Sequence, residues 1–110
     1  MSVYNGWSLV NNNPEVRKYL TDQVMRKHPG SVVIMIHGFD RTHCTTFVTH
    51  YSTTLATFIQ SVAHNFHIHP SFILVFEGRH YPDDNLMGDI HHRWVQDDGI
   101  LYGYVSSIPH

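Results

Sequence analysis

The chain has 110 residues, of which 42% are hydrophobic and 15% are charged, a composition typical of one globular domain. Its seven lysines and arginines are scattered among nine acidic residues, so sequence-independent binding of nucleic acid is disfavoured. Cys44 is the only cysteine, which excludes an internal disulfide and cysteine-based zinc sites. No apolar run has the length of a membrane span, and we expect residues 1–110 to form a single soluble domain in the cytoplasm.

The first predicted elements are an edge strand and a helix. The strand is predicted over residues 3–10, with Gly6 marking a bulge. The helix is indicated by Asn13 as N-cap and Pro14 at the first helical position, followed by an apolar stripe. The His-Pro-Gly sequence of residues 28–30 is expected to end it.

Two unbroken apolar runs, residues 31–37 and 71–77, predict strands that are covered on both faces. A second helix is predicted between them, because apolar residues recur there at three- and four-residue spacing. Thr45 or Thr46 would cap this helix, and Phe66 is its last apolar residue. The order predicts a central βαβ unit in which the two strands are parallel.

The C-terminal part is predicted to form a hairpin. Residues 93–96 and 100–105 flank the short turn sequence Asp97-Asp98-Gly99. The predicted fold class is therefore a small α/β or α+β domain. It comprises a mixed sheet with a central βαβ unit, two helices and a C-terminal β-hairpin.

Side chains capable of catalysis stand at the ends of the two buried strands. The carboxyl ends of parallel strands meet at one edge of a sheet, where open α/β sheets usually bind ligands. There, His37 or His80 would act as a general base. Asp40 and Glu77 would orient that base or hold a divalent metal, and Arg79 would bind an anionic substrate. This crevice predicts a small hydrolase or lyase, unless His37 is a buried or capping side chain and Glu77 only pairs with Arg79 or Arg41.

The strand from Val33 to Phe39, with its His-Gly turn, resembles the strand and turn near the start of α/β-hydrolase domains. Residues 76–80 resemble the next strand and turn of that family, so the resemblance covers residues 31–84. It implies a strand that delivers a backbone amide to an oxyanion hole. No Gly-x-Ser-x-Gly nucleophile elbow follows, so the resemblance supports the βαβ unit and not serine hydrolysis.

The chain is rich in histidine, with eleven in total, and two of them form the triplet His67-Ile-His69. This triplet is similar to the metal-binding motif of rolling-circle replication initiators and relaxases. The resemblance implies a divalent metal held by both histidines and a nucleophilic tyrosine, for which Tyr81 is the nearest downstream residue. Pro70 would interrupt a central strand and the charge balance disfavours DNA, so a His-x-His phosphodiesterase or nickase is the third hypothesis.

The first hypothesis is a non-catalytic binding protein of the inhibitor or adaptor type. Arg79, Tyr81, Trp94 and Tyr102 would form a recognition surface for a protein partner or a small molecule. Tryptophan, tyrosine and arginine are the residues that contribute most to binding at protein interfaces. An exposed edge strand could also pair with a second copy and form a homo-oligomer. Nucleic acid and membranes are not expected as partners.

Overall fold

The computed structural model describes residues 2–4, 13–40 and 43–107 of the chain. These residues form five strands and three helices, which depend on local signals and on long-range pairing. In chain order these elements are β1 (Ser2–Tyr4), α1 (Pro14–Lys27), β2 (Ser31–His37), β3 (Cys44–His50), α2 (Leu55–Phe66), β4 (Ile73–Phe76), α3 (Met87–Trp94) and β5 (Ile100–Ser106). The predicted fold class, a small mixed α/β domain, is confirmed.

The strands form one mixed sheet in the order β1-β3-β2-β5-β4. β2 pairs antiparallel with β3 and parallel with β5, while β4 pairs antiparallel with β5. Because β5 lies between β2 and β4, those two strands are not neighbours and run in opposite directions. The predicted parallel pairing of the strands over 31–37 and 71–77 is therefore wrong, although both strands exist.

The central strand β2 is covered on both faces, as its unbroken apolar run predicts. Ile34 and Ile36 pack in the core cluster on the side of α2 and α3. Val33 and Met35 pack with Val24 of α1 on the other side. Alternation along the strand distributes these side chains between two helix layers, so no position of β2 between its ends reaches solvent.

α1 begins and ends where the local sequence predicts. The Asn13 side chain accepts a hydrogen bond of 3.0 Å from the backbone N–H of Glu15, and Pro14 occupies the first helical position. The helix stops at Lys27, before Gly30, which has a left-handed φ of 78°. Each signal depends on a few residues at one end of the helix, so both can be identified from the sequence alone.

Residues 44–50 form a strand and not the first half of the predicted second helix. Three threonines and a valine among these seven residues favour a strand, and all seven residues pair in register with β2. α2 begins only at Leu55, where the Thr54 hydroxyl accepts a hydrogen bond of 3.3 Å from the Thr57 N–H. The helix predicted from the spacing of apolar residues is therefore confirmed only in its second half.

The predicted C-terminal hairpin is wrong in its first arm, because residues up to Trp94 belong to α3 and β5 pairs with β2 and β4. α3 lacks a side-chain N-cap. Its first N–H groups, those of Met87 and Gly88, instead donate to the carbonyls of Thr53 at 2.7 Å and Tyr51 at 2.8 Å. No local signal predicts this helix, since its start is stabilised by a distant loop.

The predicted N-terminal edge strand is observed over Ser2–Tyr4, where β1 pairs with β3 at the edge of the sheet. The rest of that prediction, including Gly6, lies outside the described residues. Within the described ranges, no helix has both the length and the apolar character needed to cross a membrane.

Candidate functional site

The predicted catalytic crevice is divided between the two ends of the sheet. His37 ends β2 and Asp40 follows it, beside the start of β3. Glu77 and His80 follow β4, which runs opposite to β2, so they lie at the other end. The grouping of His37, Asp40, Glu77 and His80 is thus corrected, and the physical reason is the insertion of β5 between the two strands.

The residues after β4 form a tight exposed turn. Glu77 and Gly78 have left-handed φ values of 51° and 72°, and the backbones of Phe76 and Arg79 exchange hydrogen bonds of 2.8 and 3.0 Å. The Glu77 carboxylate accepts a hydrogen bond of 3.1 Å from the Gln96 amide. The turn holds Arg79 in place, and the histidine that follows it is exposed.

A groove of about 620 Å³ lies between the β2–β3 turn and the C-terminal end of α2. It is lined by Gly38, Phe39, Asp40, His43, Cys44, Thr45, Asn65, Phe66, His67 and Ile68. The Asp40 carboxylate lies 2.7 Å from His43 Nδ1 and also accepts a hydrogen bond of 3.2 Å from the His43 N–H. Asp40 is therefore the partner of His43 in this groove.

The thiol in this groove is not activated. Cys44 Sγ lies 3.9 Å from His37 Nε2. Burial raises the pKa of Cys44 from 9.0 to about 11, because a thiolate loses solvation there. The thiol is therefore protonated at neutral pH, and the His37 ring beside it does not create a nucleophile.

The two histidines of the His-x-His motif do not lie on a strand. His67 caps the C-terminal end of α2 in a left-handed conformation, with φ of 56°, and His69 lies in the connection to β4. The strand alternation that would aim both rings at one metal ion is therefore wrong. No group of three or more histidine, cysteine or acidic side chains suited to a metal ion occurs within the described ranges.

Three of the four predicted ligand-binding residues lie together. The Trp94 Nε1–H donates a hydrogen bond to the Tyr81 hydroxyl, and the Arg79 guanidinium carbon lies 5.9 Å from the centroid of the Trp94 ring. Arg93, which the sequence interpretation missed, lies 5.4 Å from the same centroid. Its position next to Trp94 in the chain is the one signal that could have identified it. These four residues are called the Trp94 surface below.

Tyr102, the fourth predicted residue, belongs to a different group, the Asp98 cluster of Arg17, Asp98 and Tyr102. Asp98 is only 6% exposed and accepts hydrogen bonds from Arg17 Nε at 3.1 Å, from the Ile100 N–H at 3.0 Å and from the Tyr102 hydroxyl. Burial raises the pKa of Tyr102, and the bond to Asp98 raises it further. The cluster joins α1 to β5, so the placement of Tyr102 in the recognition surface is corrected.

His91 connects the helix that carries the Trp94 surface with the turn that carries the Asp98 cluster. Its Nε2 lies 3.1 Å from the carbonyl oxygen of Gly99. Burial lowers the pKa of His91, the bond to Gly99 opposes this effect, and the charge of His92 lowers the pKa further. The neutral ring thus donates to the Gly99 carbonyl and holds α3 against the turn.

The edge of β3 already holds an extended segment. β1 pairs antiparallel with Thr46–Val48, three of the seven residues of β3. The carbonyl of His43 and the N–H of Tyr51 bond towards the β2 side, to Gly38 and Gly30 respectively. Backbone bonding alternates along an antiparallel strand, so Cys44, Thr46, Val48 and His50 direct their backbone groups away from β2.

Comparisons with known proteins show the fold of the chain. No family model matches it, and no curated protein matches it either. Among solved structures, the crystal structure of ATG8 from Trypanosoma brucei is similar, with a TM-score of 0.76 and 18% sequence identity. The match covers 94% of this chain and 95% of the ATG8 chain. The protein therefore has the same fold as that ATG8 structure.

Proposed function

We propose that the protein is a non-catalytic protein-interaction domain that binds an extended segment of a partner along β3. The observation that carries the proposal is the pairing of β1 with the β3 edge, because it places an added strand where a partner strand would bind. The ATG8-like fold supports an interaction role.

The β3 edge offers the two components of strand recognition. Its outward backbone groups supply hydrogen bonds, and the side chains beside it supply apolar contacts. On the α1 side, Val48 is buried in a cluster with Val33 and Met35, and Leu20 and Met25 of α1 are partly buried against it. A partner strand would extend this cluster with its own side chains.

Within the described ranges, β1 covers three of the seven residues of β3, and a longer partner strand would displace it. β1 has three residues and β3 has seven, so a longer strand would pair with more of β3. Each net backbone hydrogen bond contributes roughly 1 kcal/mol. A partner segment that reaches from Cys44 to His50 is therefore expected to compete successfully with β1.

The test uses a displayed library of random twelve-residue peptides, selected on the full chain and followed by amide hydrogen exchange. Selected peptides should slow exchange at Cys44 and His50, the outward amides beyond the three β1 pairs, as well as at Thr46 and Val48. Protection confined to another surface, or a library that yields no binder, would contradict the proposal.

A matched pair of proline variants tests the competition. Tyr4 pairs with Thr46, whose backbone groups face β1, so Tyr4→Pro removes an N–H that bonds to β3. The N–H of Val3 points away from β3, and Val3→Pro is the control. Tyr4→Pro should tighten peptide binding about fivefold, the equivalent of one hydrogen bond. Equal affinities in both variants would show that β1 and the peptides do not share the edge.

A further inference from the structure

The Trp94 surface is remote from β3 in the order of the sheet. We propose that it binds an acidic segment of a partner protein, with Arg79 and Arg93 bonding to carboxylates on that segment. Trp94 ends α3, and Arg79 follows β4, the strand at the opposite edge of the sheet from β1 and β3. The inference goes beyond strand binding and depends on different residues.

Two parts of the surface are held in place before any ligand binds. The Trp94 indole is partly buried against the core on the side of α2 and α3, as is Tyr81, which accepts its N–H. The backbone of Arg79 is held by its two hydrogen bonds with Phe76. A preorganised site loses less conformational entropy when a ligand binds.

Arg79 and Arg93 have no anionic partner in the part of the chain that the structure describes. Within the described ranges, neither Arg79 nor Arg93 forms an ion pair or a side-chain hydrogen bond, and both are exposed. A guanidinium group that lies over an aromatic face keeps the N–H donors at its rim accessible. Each therefore presents the planar donor pair that binds a carboxylate through two parallel hydrogen bonds.

The charges around the indole favour an anion. Arg79 and Arg93 lie 5.9 and 5.4 Å from one ring centroid, so two positive charges share a single aromatic side chain. An anionic group beside the indole would therefore be attracted by both charges.

A protein segment fits this surface better than a nucleic acid. The formal net charge of the chain is -2, and two arginines would neutralise few phosphates. Val95, which follows Trp94 in the chain, is 38% exposed and offers apolar surface to a partner. Acidic residues next to an apolar side chain therefore match the charge and the composition of the surface.

The test compares two synthetic eight-residue peptides, one of glutamates with a central leucine and the other with glutamine in place of each glutamate. Each is titrated into the full chain while the Trp94 indole N–H is followed by NMR. The glutamate peptide should shift this resonance and bind at least tenfold more tightly, and its affinity should fall as salt is added. Equal affinity of the two peptides would overturn the proposal.

Substitutions of single arginines test where the glutamate peptide binds. Arg79→Gln and Arg93→Gln should each weaken the glutamate peptide at least fivefold, while Arg79→Lys, which keeps the charge without the planar donor pair, should weaken it less. Arg26→Gln, at an exposed arginine of α1, is the matched control and should leave binding unchanged.

Thermal unfolding of each variant separates loss of binding from loss of folding. If Arg26→Gln weakened binding of the glutamate peptide equally, the binding would depend on net charge alone, and the proposed site would be wrong. Tighter binding of an eight-nucleotide thymidine oligomer than of the glutamate peptide would overturn the choice of partner. The β3 amides report on strand binding separately, so either proposal can fail without the other.

Discussion

The Asp98 cluster and the Trp94 surface both place arginine beside an aromatic residue, but they differ in burial and in pairing. Arg17 meets a carboxylate whose side chain is 5% exposed, and its own side chain is 20% exposed. Arg79 and Arg93 are exposed and lie over the Trp94 indole. The buried pair is committed to joining α1 and β5, whereas the exposed arginines keep their donors available to a partner.

The short connection between α3 and β5 separates the two regions. Trp94 ends α3, and Asp98 lies four residues further along the chain. His91 bridges them by its contact with the Gly99 carbonyl. One end of this connection stabilises the fold and the other carries the proposed binding site, and substitutions can test each role.

The largest expected effect is that of Asp98→Ala. The change removes the acceptor that Arg17 Nε, the Tyr102 hydroxyl and the Ile100 N–H share, and should lower the free energy of unfolding by about 3 kcal/mol. Urea unfolding measures it. Asp97→Ala, at the exposed neighbour, is the control and should change stability by less than about 0.5 kcal/mol. Similar losses of unfolding free energy in both variants would show that the Asp98 cluster does not stabilise the fold.

A smaller effect is expected at the bridge, His91→Gln. The folded protein holds the pKa of His91 below its ordinary value of 6.5. Above pH 6.5, His91 is neutral in both the folded and the unfolded chain. Below pH 6.5, the unfolded chain takes up a proton that the folded chain resists, so the free energy of unfolding decreases as the pH decreases. Removing the ring should abolish this loss of stability on acidification.

Urea unfolding above and below pH 6.5 measures the contribution of His91. His64→Gln, at an exposed histidine in the last turn of α2, is the control and should keep the pH dependence of the original chain. If His91→Gln and the original chain lose equal stability on acidification, the bridge does not couple the two regions through protonation.

The smallest effects on stability are expected at the Trp94 surface. Arg79→Gln and Arg93→Gln remove no ion pair within the described ranges, so each should change the free energy of unfolding by less than about 0.5 kcal/mol. Arg17→Gln should cost roughly 2 kcal/mol, because it leaves Asp98 buried without its cation. If all three variants are equally destabilised in thermal unfolding, the distinction between the two regions is lost.

The predicted ligand-binding residues show how far sequence reasoning reaches. Arg79, Tyr81 and Trp94 lie together, since all three come from the segment that joins β4 to α3 and includes that helix. Tyr102 was misplaced, because alternation along β5 directs it to the α1 face, where it packs beside the cluster of Val24. The predicted grouping of His37 with Glu77 was wrong, since it depended on a pairing between distant strands.

The sequence by itself determined α1, β2, β4 and β5, because a cap at Asn13 and unbroken apolar runs act over a few neighbouring residues. Only the tertiary structure decided that β5 enters between β2 and β4, and that α3 begins against the carbonyls of Tyr51 and Thr53. It also decided which arginine pairs with the buried Asp98 and which ones remain exposed. Each of these outcomes depends on groups that lie far apart in the chain, and no local pattern of residues specifies their contact.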